Sequence, residues 1–229
     1  MWHRPISQRR IGKIFESNEM KYFQKKLLFI LITNILFISC NQSPDSASNI
    51  RKKNGNKFTV ALMPYKGFDT VLFNDISKEI EAFYKCNVVI LPVNSLPKNA
   101  FYAARQRYKA DSLLLFQKKL AKDGIKSVVG FTAKDISTST PDWGIFGLGY
   151  CPGEACVIST YRLQKTSVTV MQLKERLVKV VLHELGHNLG LPHCTFDQEC
   201  LLTDAGGTIK QVDKERKWLC SHCIQILHQ

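Results

Sequence analysis

Three histidines and a glutamate crowd into the segment His183-Glu184-Leu185-Gly186-His187-Asn188-Leu189-Gly190-Leu191-Pro192-His193. Val178 to Leu182 ahead of it is apolar apart from Lys179, so the spacing predicts a helix carrying His183 and His187. Residues four apart share a helix face, and two imidazoles so placed can grip one metal ion. Glu184 points beside that ion, where a carboxylate can hold a water and take its proton. Gly190 suits the left-handed residue that commonly closes a helix, and Pro192 keeps the helix from resuming. The returning chain lets His193 complete a three-nitrogen set, the pattern of a catalytic zinc with its fourth position open. A bare histidine pair at this spacing is often a core or surface coincidence; the glutamate, the glycine and the third histidine argue against coincidence here.

The helix that must hold these groups is predicted to start near Thr169, where Thr169 and Gln172 have capping-box spacing. Leu173, Leu177, Val181 and Leu185 form its core face. Upstream, Phe58 to Met63 reads as a buried strand, Val71 to Tyr84 as a helix and Asn87 to Val93 as a second strand. Ala100 to Ala121 has the composition of one long helix, and Lys126 to Phe131 of a third strand. Strand–helix–strand–helix–strand implies parallel pairing. Trp143 to Tyr150 and Ala155 to Tyr161 add two extended segments around Cys151 and Cys156. Gly144, Gly147 and Gly149 would let another backbone or side chain approach closely.

The run His-Glu-x-x-His-x-x-Gly-x-x-His is the metzincin signature. With Cys194 directly after it and Cys200, Cys220 and Cys223 downstream, the chain resembles an archaemetzincin, firmly over its second half and more loosely from about Phe58. The resemblance implies an α/β (α+β) metzincin-like zincin: a mixed, mostly parallel twisted sheet with an antiparallel edge strand, an active-site helix and a small zinc-stapled C-terminal subdomain. It implies an upper part over 57–190 and a lower part over 191–229. It also implies two zinc ions, a catalytic one on His183, His187 and His193 with Glu184 as general base, and a structural one on the four cysteines. One of the two extended segments should be the edge strand above the cleft, with free amides for an extended peptide. Two positions depart from the family pattern. Leu202 stands where a methionine floor beneath the metal is expected, an apolar exchange of similar volume that usually costs less than about 1.5 kcal/mol. Five residues, not four, separate Cys194 from Cys200.

Eight cysteines occur in the chain. The last four lie in a segment too short for a core of its own, so a closed thiolate zinc or two disulfides could staple it; the resemblance implies zinc. His222, inside the last Cys-x-x-Cys, is a competing ligand. Cys151 and Cys156 flank Pro152-Gly153 and suit a small disulfide. Cys86 reads as a buried small hydrophobe.

The 229 residues suggest one domain, or one with a small appendage, and 45% hydrophobic content suits a packed core. Lys21, Lys25 and Lys26 precede an apolar run from Leu27 to Ile38, too short to cross a bilayer that needs about 20 helical residues. Ending in Phe37-Ile38-Ser39-Cys40, it resembles a bacterial lipoprotein signal with Cys40 as the lipidated residue. Residues 1–39 are thus an upstream extension plus signal, with Met20 as a natural start, and 40–56 a flexible tether, placing 57–229 at the cell envelope as a membrane-anchored domain. Of the formal charge of +13, the first 39 residues carry +5; the rest is dispersed and no helix is basic enough to contact phosphates, which argues against a nucleic-acid partner. The expected function is a zinc-dependent peptidase acting on peptides or proteins. The alternative is a non-catalytic zinc-binding surface lipoprotein of the same fold.

Overall fold

Phe58 begins an apolar stretch whose alternate side chains face opposite ways, and it leads into an inner strand of the main sheet. The computed structural model describes residues 57–229 apart from 123 and 166; the expected signal, Cys40 and the tether lie outside the described residues. The first strands and helices are β1 (Thr59–Pro64), α1 (Phe73–Tyr84) and β2 (Asn87–Ile90). With β5 (Ile125–Thr132), β8 (Gly147–Gly149) and β9 (Ala155–Ser159) they build a five-stranded sheet ordered β2-β1-β5-β9-β8. All neighbours run parallel except β8, which pairs antiparallel with β9 at the edge. This is the expected mixed sheet.

Strand periodicity sorts the core into two layers. Val60, Leu62, Val129, Phe131, Cys156 and Ile158 face α1 and the long helix α3 (Val170–Asn188). Ala61, Met63, Val128, Ala155 and Val157 face α2 (Ala110–Lys118) with its buried Leu113 and Leu114. Helix α1 buries Ile76, Ile80 and Tyr84, one turn apart, and stops at Lys85 in the left-handed region. Helix α3 starts where its sequence says it should, with reciprocal bonds between Thr169 and Gln172, and it buries Leu177, Val181 and Leu185 completely.

Two segments differ from the sequence expectation. The residues expected to open a helix at Ala100 instead form β3 (Phe101–Tyr102) and β4 (Arg107–Lys109), and the helix begins only at Ala110. Gln106, at φ 51°, reverses the chain between them. A second sheet, β3-β4-β6-β7, takes up this hairpin through β6 (Ile136–Ser137). Asp135 beside β6 receives Arg107 at 3.3 Å and Arg162 at 2.7 Å. Tertiary pairing overrides helix propensity here. Likewise Trp143 to Tyr150 is two strands, β7 (Gly144–Ile145) in the second sheet and β8 in the main one, turned about the buried Phe146.

The C-terminal segment carries α4 (Ile209–Lys214) and α5 (Ser221–Leu227). Its buried Leu191, Leu201, Leu202 and Leu219 belong to the same hydrophobic cluster as α1 and α3. At the end of α3, Asn188 is fully buried and donates from Nδ2 to the carbonyls of Tyr150 and Ala155, both at 2.9 Å, while its Oδ1 accepts from Ser127 at 2.6 Å. This amide fixes the histidine-bearing turn to β9 and β5. Replacing it by alanine leaves buried polar groups unpaired, so Asn188→Ala should lower stability by roughly 3 kcal/mol in urea unfolding; a change within about 0.5 kcal/mol would show that the amide is no such anchor.

Candidate active site

Each buried histidine of α3 has one nitrogen already committed. His183 Nδ1–H donates to the Leu201 carbonyl and His187 Nδ1–H to the Leu191 carbonyl, both at 2.7 Å. A carbonyl only accepts, so the proton sits on Nδ1 and the Nε2 lone pair is left for a metal. Burial, helped by His187, pushes His183 down to about 3, and burial also lowers His187. Both rings are therefore neutral, the form that ligates. Gly190, at φ 94°, ends the helix in a Schellman turn, with Leu191 N–H on Gly186 O at 3.0 Å and Gly190 N–H on His187 O at 2.9 Å. The turn brings the exposed His193 back, so that a ligating nitrogen from each of the three rings lies within 4.8 Å of the others. The donor set, three neutral imidazoles around an open side, fits zinc.

Glu184 faces the same cleft, a cavity of about 460 Å³ whose walls include His183, His187, His193 and the edge-strand residues Gly147 to Gly149. Burial raises its carboxyl to about 8, against the opposing effect of a hydrogen bond from the Gly149 amide. The glycines of β8 make this approach possible. A Cβ on Gly147 would sit 2.7 Å from Glu184 Oε1, and one on Gly149 would sit 2.6 Å from the Glu184 carbonyl. Either Cβ would force a shift, of the Glu184 side chain in the first case and of the helix backbone in the second.

Leu202 is fully buried under α3, its methyl 3.3 Å from where a side chain on Gly186 would begin. It packs against α3 at Gly186, in the turn between the two helical histidines. Beyond it, Cys194, Cys200, Cys220 and Cys223 are buried, free, and have all their sulfurs within 4.8 Å of one another. Cys194 to Cys220 is 3.6 Å and Cys200 to Cys223 is 3.8 Å. A disulfide needs about 2.05 Å, whereas a tetrahedron with zinc–sulfur bonds of about 2.3 Å has edges of about 3.8 Å. The quartet fits a closed thiophilic site and not two disulfides. His222 stands outside it, stacked on Phe196 at 3.8 Å.

The expected Cys151–Cys156 disulfide is not formed, and both thiols are free. Cys156 points from β9 into the core, while Cys151 is exposed and its Sγ donates to Leu191 O at 3.3 Å. Cys156 is packed into the core cluster with α3, while Cys151 is held at the surface turn by its bond to the Leu191 carbonyl. Cys86 is buried, as its isolation suggested. Sequence reasoning missed Asn188 and the lower wall of the cleft, where Asp204, Val212 and Glu215 stand. A lone amide inside the motif was the only signal for the first; Glu215 lies in a charged run indistinguishable from a solvated one.

The profile of peptidase family M54 matches residues 70–229. The chain belongs to peptidase family M54. This M54 member is 30% identical over 176 residues to the archaemetzincin of Haloquadratum walsbyi, a match covering 74% of this chain and 99% of that one. The crystal structure of archaemetzincin from Methanopyrus kandleri superposes with a TM-score of 0.67 at 26% identity, over 76% of this chain and 96% of that one. That from Archaeoglobus fulgidus shares the fold, with a TM-score of 0.64 at 24% identity over 74% and 99% of the two chains. The chain is a zinc metallopeptidase of archaemetzincin type, acting on peptide or protein substrates. In it, Gly147→Ala should push the Glu184 carboxylate aside and lower turnover about 100-fold, with zinc content unchanged by metal analysis. Parental turnover in that variant would show that the close contact is dispensable.

Proposed function

We propose that His183, His187 and His193 hold the catalytic zinc through Nε2, that Glu184 is the general base, and that the four C-terminal cysteines hold a second, structural zinc. The observation that carries this reading is the pair of Nδ1–carbonyl bonds, which leave both helical histidines facing one point with His193. When bound, zinc supplies a Lewis acid for the scissile carbonyl and makes water acidic enough to deprotonate near neutral pH. Glu184 takes that proton on its carboxylate and hands it on to the leaving amine. The edge strand β8, whose Gly149 amide is given to Glu184, offers its remaining main-chain groups to align an extended peptide. Leu202, which stands where the family pattern has methionine, is fully buried as an apolar residue there should be, and it gives the non-catalytic alternative no support.

We further read Cys40 as a lipid-modified residue that tethers the domain to a bacterial envelope membrane, on the strength of the apolar run Leu27 to Ile38 before it. Cys40→Ala should then move the protein from the membrane fraction to the soluble one on cell fractionation; retention in the membrane would count against the anchor.

For the active site, Glu184→Gln should keep two zinc equivalents and lose at least about 100-fold in turnover. Replacing Cys220 and Cys223 by serine should lower the content to one. Undiminished turnover in the first variant, or two equivalents in the second, would refute the corresponding assignment.

A further inference from the structure

Glu215 caps the end of α4 with its side chain 4% exposed, yet it lines the same cleft as His183, Glu184 and His187, beside Val180, Val212 and Asp204. Its Oε1 is buried with no hydrogen-bond partner among the described residues. The cation whose field reaches it is Lys179 on α3. Lys179 Nζ is occupied elsewhere, donating to the carbonyls of Val212 and Asp213 at 3.1 and 3.2 Å and lying 3.9 Å from Glu175. Asp213, next along α4, is turned away to Arg176. Buried carboxylates are ordinarily paired, and an unmet one in a cleft marks a place for a donor from outside. The slot is lined by the valines Val180 and Val212 and by the acids Glu215 and Asp204. Its complement is a side chain that is hydrocarbon along its length and cationic at its tip.

We propose, taking the cleft as the active site of the peptidase, that Glu215 makes this end a subsite for a basic side chain, so that bonds beside lysine or arginine are selected. The net charge of +13 repels cations at long range, so discrimination must come from contact within the slot. Burial pushes the empty subsite's carboxyl up to about 8, Lys179 pulls against this, and Asp204 adds to it. An entering cation therefore displaces a proton, and selectivity strengthens as pH rises through that value.

The test is digestion of a synthetic peptide library by the zinc-loaded full chain at a pH just above about 8, with cleaved bonds identified by mass spectrometry. Peptides with lysine or arginine at one fixed position beside the cut should be cleaved at least about tenfold faster than norleucine counterparts. In Glu215→Gln that ratio should fall toward one. No basic preference in the parent, or an undiminished one in the variant, overturns the subsite and leaves the peptidase standing; no cleavage by the parent overturns both. Should Glu215→Gln not fold, calorimetry on Glu184→Gln, which keeps Glu215, decides the matter. An arginine peptide binding at least about tenfold tighter than its norleucine counterpart supports the subsite, and equal affinities overturn it.

Discussion

Two backbone carbonyls, those of Leu191 and Leu201, decide which nitrogen each buried histidine presents to the cleft. Without them either ring could turn over or change tautomer, and the three-nitrogen set would lose its common focus. The carbonyls are themselves held. Leu191 is fixed by the turn at Gly190, and Leu201 by its own amide on the Trp218 carbonyl at 3.0 Å. Cys194 N–H on the Leu202 carbonyl, at 2.7 Å, ties the third-histidine segment to the same stretch. The segment between the cysteines thus orients His183 from below, so the cysteine quartet and the histidine site are mechanically one assembly.

The opposite wall works by proximity. Glycines in β8 bring a sheet edge into contact with Glu184 of α3, and the Gly149 amide helps to aim its carboxyl. On the far side of α3, Tyr84 donates its hydroxyl to the Leu182 carbonyl at 2.6 Å, so α1 braces the helix just before His183. Strand, helix and C-terminal segment each supply one side of a single geometry.

Most of this was legible in the residues, because the histidines, the capping pair Thr169 and Gln172, and Gly190 act through local geometry that spacing encodes. The parallel strands were legible through their apolar runs. What failed was decided by partners distant in sequence. The hairpin before α2 forms because β6 and Asp135 receive it, and nothing between residues 100 and 109 announces that. Trp143 to Tyr150 splits between two sheets because Phe146 is pulled into the core. The pairing of Cys151 with Cys156 assumed a simple loop, whereas strand alternation turns Cys156 inward. Glu215 went unnoticed since burial, which gives it interest, is a property of the fold and not of its charged neighbours.

The leucines of the C-terminal segment lie in one cluster with the core of α1 and α3. Prising the two lips of the cleft apart would bare several of them to water, each worth about 1.5–3 kcal/mol when buried. The gap between β8 and the wall carrying Asp204 and Val212 is therefore of fixed gauge, unlike a jaw that shuts on its prey. A gap of that kind, bounded on one side by a strand at the edge of a sheet, matches the cross-section of an extended segment of chain.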